Sequence, residues 1–305
     1  MPSLRDCTSV TPACPVEATT YGYYPVLWAN VALCAVFGLL CLLQVFMCLF
    51  KRVYSYSIVV ACGCMLECLG YVGRLMMRNN PWDPNGTKMQ IVCLIIAPTF
   101  TAAGVYLTLK HTVIHNGPEH SRLRPALYTW IFVGCDIGSI CLQAIGGGVA
   151  ASATNDADLL HVGNNIIIAG IAFQVATMLI CGLLAAEYIF KLVRARRQST
   201  IRAVSRKEKS SDTKAQIFQF AVMFAYLAIL IRCIYRLPEM AGGWGNPRMR
   251  NERDFLILDG LMVALASGAL TLFHPGFFYP QMRSKPKTQR KSNESSMEQL
   301  ETIEE

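Results

Sequence analysis

Arg232 and Arg236 stand four residues apart in "AVMFAYLAILIRCIYRLPEMAGGWG", residues 221–245, a stretch otherwise fit for hydrocarbon. One helical turn separates them, so both side chains leave the same face. A third arginine, Arg74, sits in "MLECLGYVGRLMM", nearly two turns after Glu67 and on its face. Asp136 lies in "WIFVGCDIGSICLQAIGGG" and Asp259 in "FLILDGLMVAL". An ionised side chain at the centre of a bilayer costs about 3 kcal/mol or more. Arginines and carboxylates in such surroundings can do two things. They can form ion pairs that pin helices, or they can line a recess that holds the polar head of an amphiphile. Glu67 and Asp136 lie nearest mid-span, where side chains cannot reach the headgroups, so they are the expected holders of a cationic amine. The other charges gather toward one end of the bundle, where Glu239 and Glu252 follow.

The elements that position these groups are read from composition. The chain has 305 residues, 53% of them hydrophobic and only 16% charged, against about 25% charged in a soluble domain. Seven apolar runs are each long enough to cross a bilayer: 26–49, 55–77, 89–110, 126–150, 163–190, 214–236 and 255–278. Backbone groups in lipid must be satisfied locally, so these are helices. The expected fold is an all-α integral membrane protein of seven transmembrane helices. Residues 1–25 form an extracellular segment, 26–278 the membrane domain and 279–305 a disordered cytosolic tail. The first helix is expected to act as the insertion signal.

Lysine and arginine set the orientation. Loops 50–54, 111–125, 191–213 and the tail hold nineteen of the 28, with helix-end residues assigned to the nearest loop, against six on the opposite side. The N-terminus is therefore expected outside and the C-terminus in the cytosol. The net charge of +8 is mainly this orientation signal, and nucleic acid is not an expected partner. Asn85-Gly86-Thr87 is a glycosylation acceptor on an outside loop. Cys7 and Cys14 are candidates for a disulfide in the oxidising outer space; most other cysteines lie within helices and read as packing residues.

Finer patterns follow. Asp136, Ser139, Gln143 and Gly147 form one stripe of the fourth helix, expected to line something polar. Gly134, Gly138, Cys141 and Ile145 form the opposite, smaller face, expected to pack closely on a neighbour. Pro98, in "LIIAPTFTAAGVY", is expected to kink the third helix and free backbone carbonyls that polar neighbours must then satisfy. His274 reads as a structural helix-end residue. No G-x-x-x-x-G-K-[ST], no Gly-x-Ser-x-Gly and no set of histidines suited to zinc occurs. An enzyme is not expected, nor a metal or a cofactor. No internal repeat is visible.

The motifs in sequence carry a resemblance. "YGYYPVLWAN", "ECLGYVGR", "APTFTAAGVY", "IFVGCDIGSICLQAIGGG" and "RCIYRLPE", with Glu252, Asp259 and His274-Pro275-Gly276 downstream, resemble the fungal lipid-translocating exporter family, seven-helix proteins named for aminocholesterol resistance. The resemblance covers roughly 20–280. It implies a protein of the plasma membrane or endomembranes, linked to export of sphingoid long-chain bases and to resistance against amphiphilic toxins. Its partners would be membrane lipids and an amphiphilic small molecule. Arg232, Tyr235, Arg236 and Glu239 match its Arg-x-x-aromatic-Arg-x-x-Glu signature. Pro238 departs from the pattern and is expected to end the sixth helix and re-aim Glu239. The candidate polar cavity comprises Glu67, Arg74, Asp136, Gln143, Arg232, Arg236, Glu239 and Asp259. ATP-independent translocation is the function expected. The alternative is a seven-helix receptor or lipid sensor, although neither Asp/Glu-Arg-Tyr after the third helix nor Asn-Pro-x-x-Tyr in the seventh is present.

Overall fold

A computed structural model describes residues 7–12, 14–19, 21–116, 125–153, 157–199, 206–242 and 246–278. Six long helices come first: α1 Leu27–Lys51, α2 Tyr54–Asn79, α3 Pro84–Asn116, α4 Pro125–Ser152, α5 Ala157–Ser199 and α6 Arg206–Ala241. The seventh, α7, spans Glu252–Phe277. All seven are long and apolar enough to cross a membrane. Among the described residues the only extended pairing is one bridge, Thr11 to Cys14. The tail 279–305, the first six residues and the middle of the basic loop at 200–205 lie outside the described residues.

Several helices outrun their apolar windows. α3 begins at Pro84 rather than 89, and α5 and α6 reach Ser199 and back to Arg206. Hydropathy registers only the part that meets hydrocarbon. The backbone ladder continues beyond it through Lys, Arg, Glu and Gln, which favour helix in water. The belt of exposed apolar side chains, such as Leu42 (69% exposed), Leu183 (72%) and Phe220 (76%), is the face that such helices turn to lipid.

Inside the bundle the polar residues face protein. On α4, Asp136, Ser139 and Gln143 are buried. A Cβ built at Gly134 or Gly138 would meet nothing within 4 Å. The expectation that the Gly134–Gly138 face packs a neighbour is therefore overturned. Lipid accepts a glycine surface but not a carboxylate, so the polar stripe turns inward and the glycines turn out. Close approach occurs elsewhere. A Cβ at Gly73 of α2 would lie 2.8 Å from Gly86 O of α3, and one at Gly86 would lie 2.9 Å from Gly73 O. The two backbones touch with no side chain between them. Gly73→Leu is expected to lower stability by about 2 kcal/mol, because a rigid backbone must move. Gly134→Leu should leave stability unchanged or raise it. Thermal unfolding in detergent would compare the two.

α7 is not uniform. It opens with an α turn at Glu252–Asp254, passes through a π-helical stretch at Phe255–Leu261 and resumes as α-helix at Met262–Leu272. A π turn inserts an extra residue and rotates what it carries. Here it carries Asp259.

Candidate functional site

The charges are organised around three arginines. Arg74, fully buried, donates from Nε to Asn30 Oδ1 at 2.7 Å and from Nη2 to Glu252 Oε1 at 2.7 Å and to Tyr23 Oη at 3.2 Å. Its guanidinium carbon stands 4.4 Å from the Phe255 ring centroid, a cation–π contact. Glu252 in turn accepts from Val26 N at 2.9 and 3.1 Å and from Asn30 Nδ2 at 3.2 Å. One carboxylate thus caps the start of α1 and neutralises an arginine of α2 while sitting on the first turn of α7. Glu67 is not the partner of Arg74. Seven helical residues rise about 10 Å, too far for contact along one helix. Glu67 is instead wholly buried, and neither of its oxygens finds a hydrogen-bond partner among the described residues.

Arg232 answers a defect that proline makes. Pro98 lies inside α3 and has no N–H, so the carbonyl four residues earlier, Leu94 O, loses its helical donor. Arg232 Nη2 donates to Leu94 O, and its Nε pairs with Asp259 Oδ1 at 2.9 Å. A single guanidinium therefore ties α3, α6 and α7 together. The π-helical stretch of α7 places Asp259 opposite it.

Arg236, one turn on, pairs within its own helix: Nη1 donates to Glu239 Oε2 at 2.9 Å. Pro238 does not end α6, which continues to Ala241. In a last turn proline forfeits a single intrahelical bond, so the helix runs through it. Asn246 Nδ2 donates to Glu239 O.

Arg236 also borders a chamber of about 560 Å³. Its lining comes from α3, α4, α5 and α6, with Tyr21 and Met249 from the segments before α1 and α7. Its wall is largely aliphatic, including Ile91, Val92, Ile95, Ile96, Ile140 and Ile167. Its polar lining consists of Tyr21, Lys88, Gln143 and Arg236. Lys88 and Val92 on α3 and Ala144 and Gly148 on α4 are exposed wall residues. Leu160 on α5 is a third exposed stretch of that wall. Beneath it a void of about 10 Å³ touches Gln143, Gln174, Arg232 and Arg236. Gln143 Nε2 stands 3.4 Å from Gln174 Oε1. Deeper still, Tyr106 Oη donates to Asp136 Oδ2 at 3.1 Å, while Asp136 Oδ1 has no partner among the described residues.

Of the eight candidates, Gln143 and Arg236 lie on the chamber wall, and Arg232 borders the void below. Glu67, Arg74, Asp136, Glu239 and Asp259 lie within protein, and none of them lines the chamber. Tyr21, Tyr23, Lys88 and Asn30 were missed from sequence, although Asn30 signalled itself as a polar residue in an apolar run. Tyr21 comes from the segment before α1 and accepts from Gln90 Nε2 at 2.9 Å. Burial pushes its phenol well above the ordinary value, against the pull of Arg74. Burial likewise raises the Tyr23 phenol, again opposed by Arg74. Both remain neutral hydrogen-bond donors at physiological pH.

Cys7 and Cys14 are joined by a disulfide, with Cα atoms 5.8 Å apart. The strap is fastened by Asn80 Nδ2 to Thr8 O (2.7 Å) and Trp82 Nε1 to Cys14 O (3.3 Å). Asn85 is exposed in the first turn of α3. At the other end of the bundle, His274 Nδ1 accepts from Gly276 N at 3.0 Å, which leaves Nε2 to donate to Ser57 Oγ at 2.8 Å. No group of His, Cys, Asp and Glu suited to a metal ion is present among the described residues.

Comparison with known proteins places this geometry in context. The model of the RTA1 like protein family matches residues 60–282. A "Sphingoid long-chain base transporter RSB1" of Saccharomyces cerevisiae (strain Lalvin EC1118 / Prise de mousse) is 34% identical over 282 residues, covering 85% of this chain and 74% of that protein. "Protein RTA1" of Saccharomyces cerevisiae (strain ATCC 204508 / S288c) is 28% identical over 67% of this chain and 60% of its own length. "Protein RTM1" of the same species is 26% identical over 71% and 66%. No solved structure matches.

Proposed function

This chain belongs to the RTA1-like family, and from that premise we propose that it moves single-chain amphiphilic lipids, sphingoid long-chain bases among them, across the membrane it spans. The observation that carries the reading is the chamber. Its volume of about 560 Å³ falls in the range of small-molecule sites, roughly 300–1,000 Å³. Its aliphatic wall suits an acyl chain, and its few polar groups suit a head. A lateral entry past the exposed wall residues of α3 and α4 would let a lipid arrive from the bilayer without passing through water. Relatives that cover most of the chain carry a transporter's name. No nucleotide-binding loop occurs in the sequence, so the movement is ATP-independent within this chain.

The chamber lies at the end of the bundle where α1 begins, since its wall uses the start of α3 and the end of α4. Lysine and arginine bias puts that end outside, and exposed Asn85 there is an acceptor for a glycan. Movement toward the outer leaflet is then export, and the plasma membrane is the natural location. Amphiphilic toxins with one chain and a small polar head would share the route, and their export would confer resistance. Gln143 and Arg236 contact the head, while Arg74, Arg232, Glu239 and Asp259 hold the helices that carry them. Glu67, with both oxygens unpartnered among the described residues, and Asp136, with one, would act when the chamber extends inward.

Reconstitution into phosphatidylcholine vesicles tests this. A labelled sphingoid base should exchange between leaflets about tenfold faster than in empty vesicles, a change of about 1.4 kcal/mol in barrier. Transfer of no single-chain lipid, with or without a proton gradient, would sink the reading.

A further inference from the structure

We propose that the head-group end of the chamber prefers an anionic, phosphate-bearing head, so that the phosphate ester of a long-chain base is held more tightly than the bare amine. This rests on the reading of the chamber as the lipid site. The charged residues on the wall are Lys88 and Arg236, and no carboxylate lines it. The nearby acids are already committed to arginines: Glu239 to Arg236, Asp259 to Arg232 and Glu252 to Arg74. A cationic amine would meet the charge of Lys88, with Arg236 already paired to Glu239, and no uncommitted anion there. A phosphate would meet complementary charge.

The donors fit the same ligand. Glu239 engages Nη1 of Arg236, and a guanidinium has five N–H donors in a planar fork that matches phosphate. The Tyr21 oxygen already accepts from Gln90, so its own hydrogen can be donated to an oxygen of the head. Lys88 is exposed at the mouth, and as a point charge it can close over a phosphate after the lipid has entered. The aliphatic wall beside these donors offers an acyl chain a contact surface that a free anion would not use. The ligand is therefore a phosphorylated lipid and not inorganic phosphate.

The test uses the full-length protein in nanodiscs, with an eighteen-carbon sphingoid base and its 1-phosphate as probes. The phosphate should bind about tenfold more tightly than the base, the size of one charge-assisted hydrogen bond. Lys88→Glu should cut that ratio by about threefold or more, and Lys88→Gln by less, since one reverses the charge and the other removes it. Circular dichroism should report an unchanged fold for both, because Lys88 is exposed. Arg236→Lys keeps the charge and should keep part of the preference. Equal or tighter binding of the bare base would overturn the proposal. So would a ratio unmoved by Lys88→Glu, or competition by inorganic phosphate at the concentration of the lipid phosphate. If vesicles show the base crossing while its phosphate fails to bind, this proposal falls and the transport reading stands. If neither lipid binds or crosses, the transport reading itself falls.

Discussion

Asp259→Ala should destabilise the bundle by about 3–5 kcal/mol, the cost of stranding one member of a buried ion pair. Asp259 is fully buried and pairs with Arg232 at 2.9 Å. Without it, Arg232, a buried residue, keeps its charge without its ion-pair partner while still donating to the Leu94 carbonyl. Arg232→Met should cost a comparable amount, because it leaves the carboxylate without its ion-pair partner and that carbonyl without a donor. The double variant should recover part of the loss, since neither member of this ion pair is left stranded; the double-mutant cycle isolates that coupling. A further background makes the account specific. Pro98→Ala restores a backbone N–H to α3 and gives Leu94 O its helical partner. In that background Arg232→Met should cost less. Retention of monodisperse protein in detergent during heating would measure all five variants. Equal effects of Arg232→Met with and without Pro98 would remove proline from the explanation.

Gly147→Trp should abolish lipid movement while leaving the fold intact. Gly147 lies on the chamber wall, and a Cβ added there would meet no atom within 4 Å. An indole at this position projects into space that lipid would otherwise occupy. The helix itself gains, because a glycine in a helix interior costs roughly 0.5–1 kcal/mol relative to alanine. The expected result is therefore divergent: leaflet exchange falls at least about tenfold, some 1.4 kcal/mol of barrier, while the unfolding temperature holds or rises. Gly147→Ala is the control and should transport normally. Full activity in the tryptophan variant would mean that lipid does not use this chamber. A parallel loss of stability and transport would mean that the wall packs more tightly than the geometry indicates.

The seven spans could be read from the chain because a bilayer imposes a length and a polarity on whatever crosses it. Each run such as 26–49 or 214–236 meets that rule within its own residues, with no knowledge of its neighbours. The need for charge pairing was equally local: Arg74, Arg232 and Asp259 could not sit singly in hydrocarbon. The proline at 98 also announced in advance that a carbonyl would need a donor. All of this follows from period, composition and the missing N–H of one residue.

Who meets whom belonged to the tertiary structure. Periodicity tells which residues share a face and is silent on which helix lies across from it. From the sequence, Arg74 could pair with Glu67 on its own helix or with a group on another; the chain folds so that Glu252, 178 residues away, completes it. Leu94 O receives its donor from Arg232, 138 residues on. The glycines of α4 suggested a packing face, but lipid tolerates glycine and rejects Asp136, so the helix turned the other way. The chamber exists only where α3, α4, α5 and α6 meet, and its two cations, Lys88 and Arg236, come from helices far apart in the chain. The residues each span contributes were written in order; their opposition across the bundle came from packing that no single span contains.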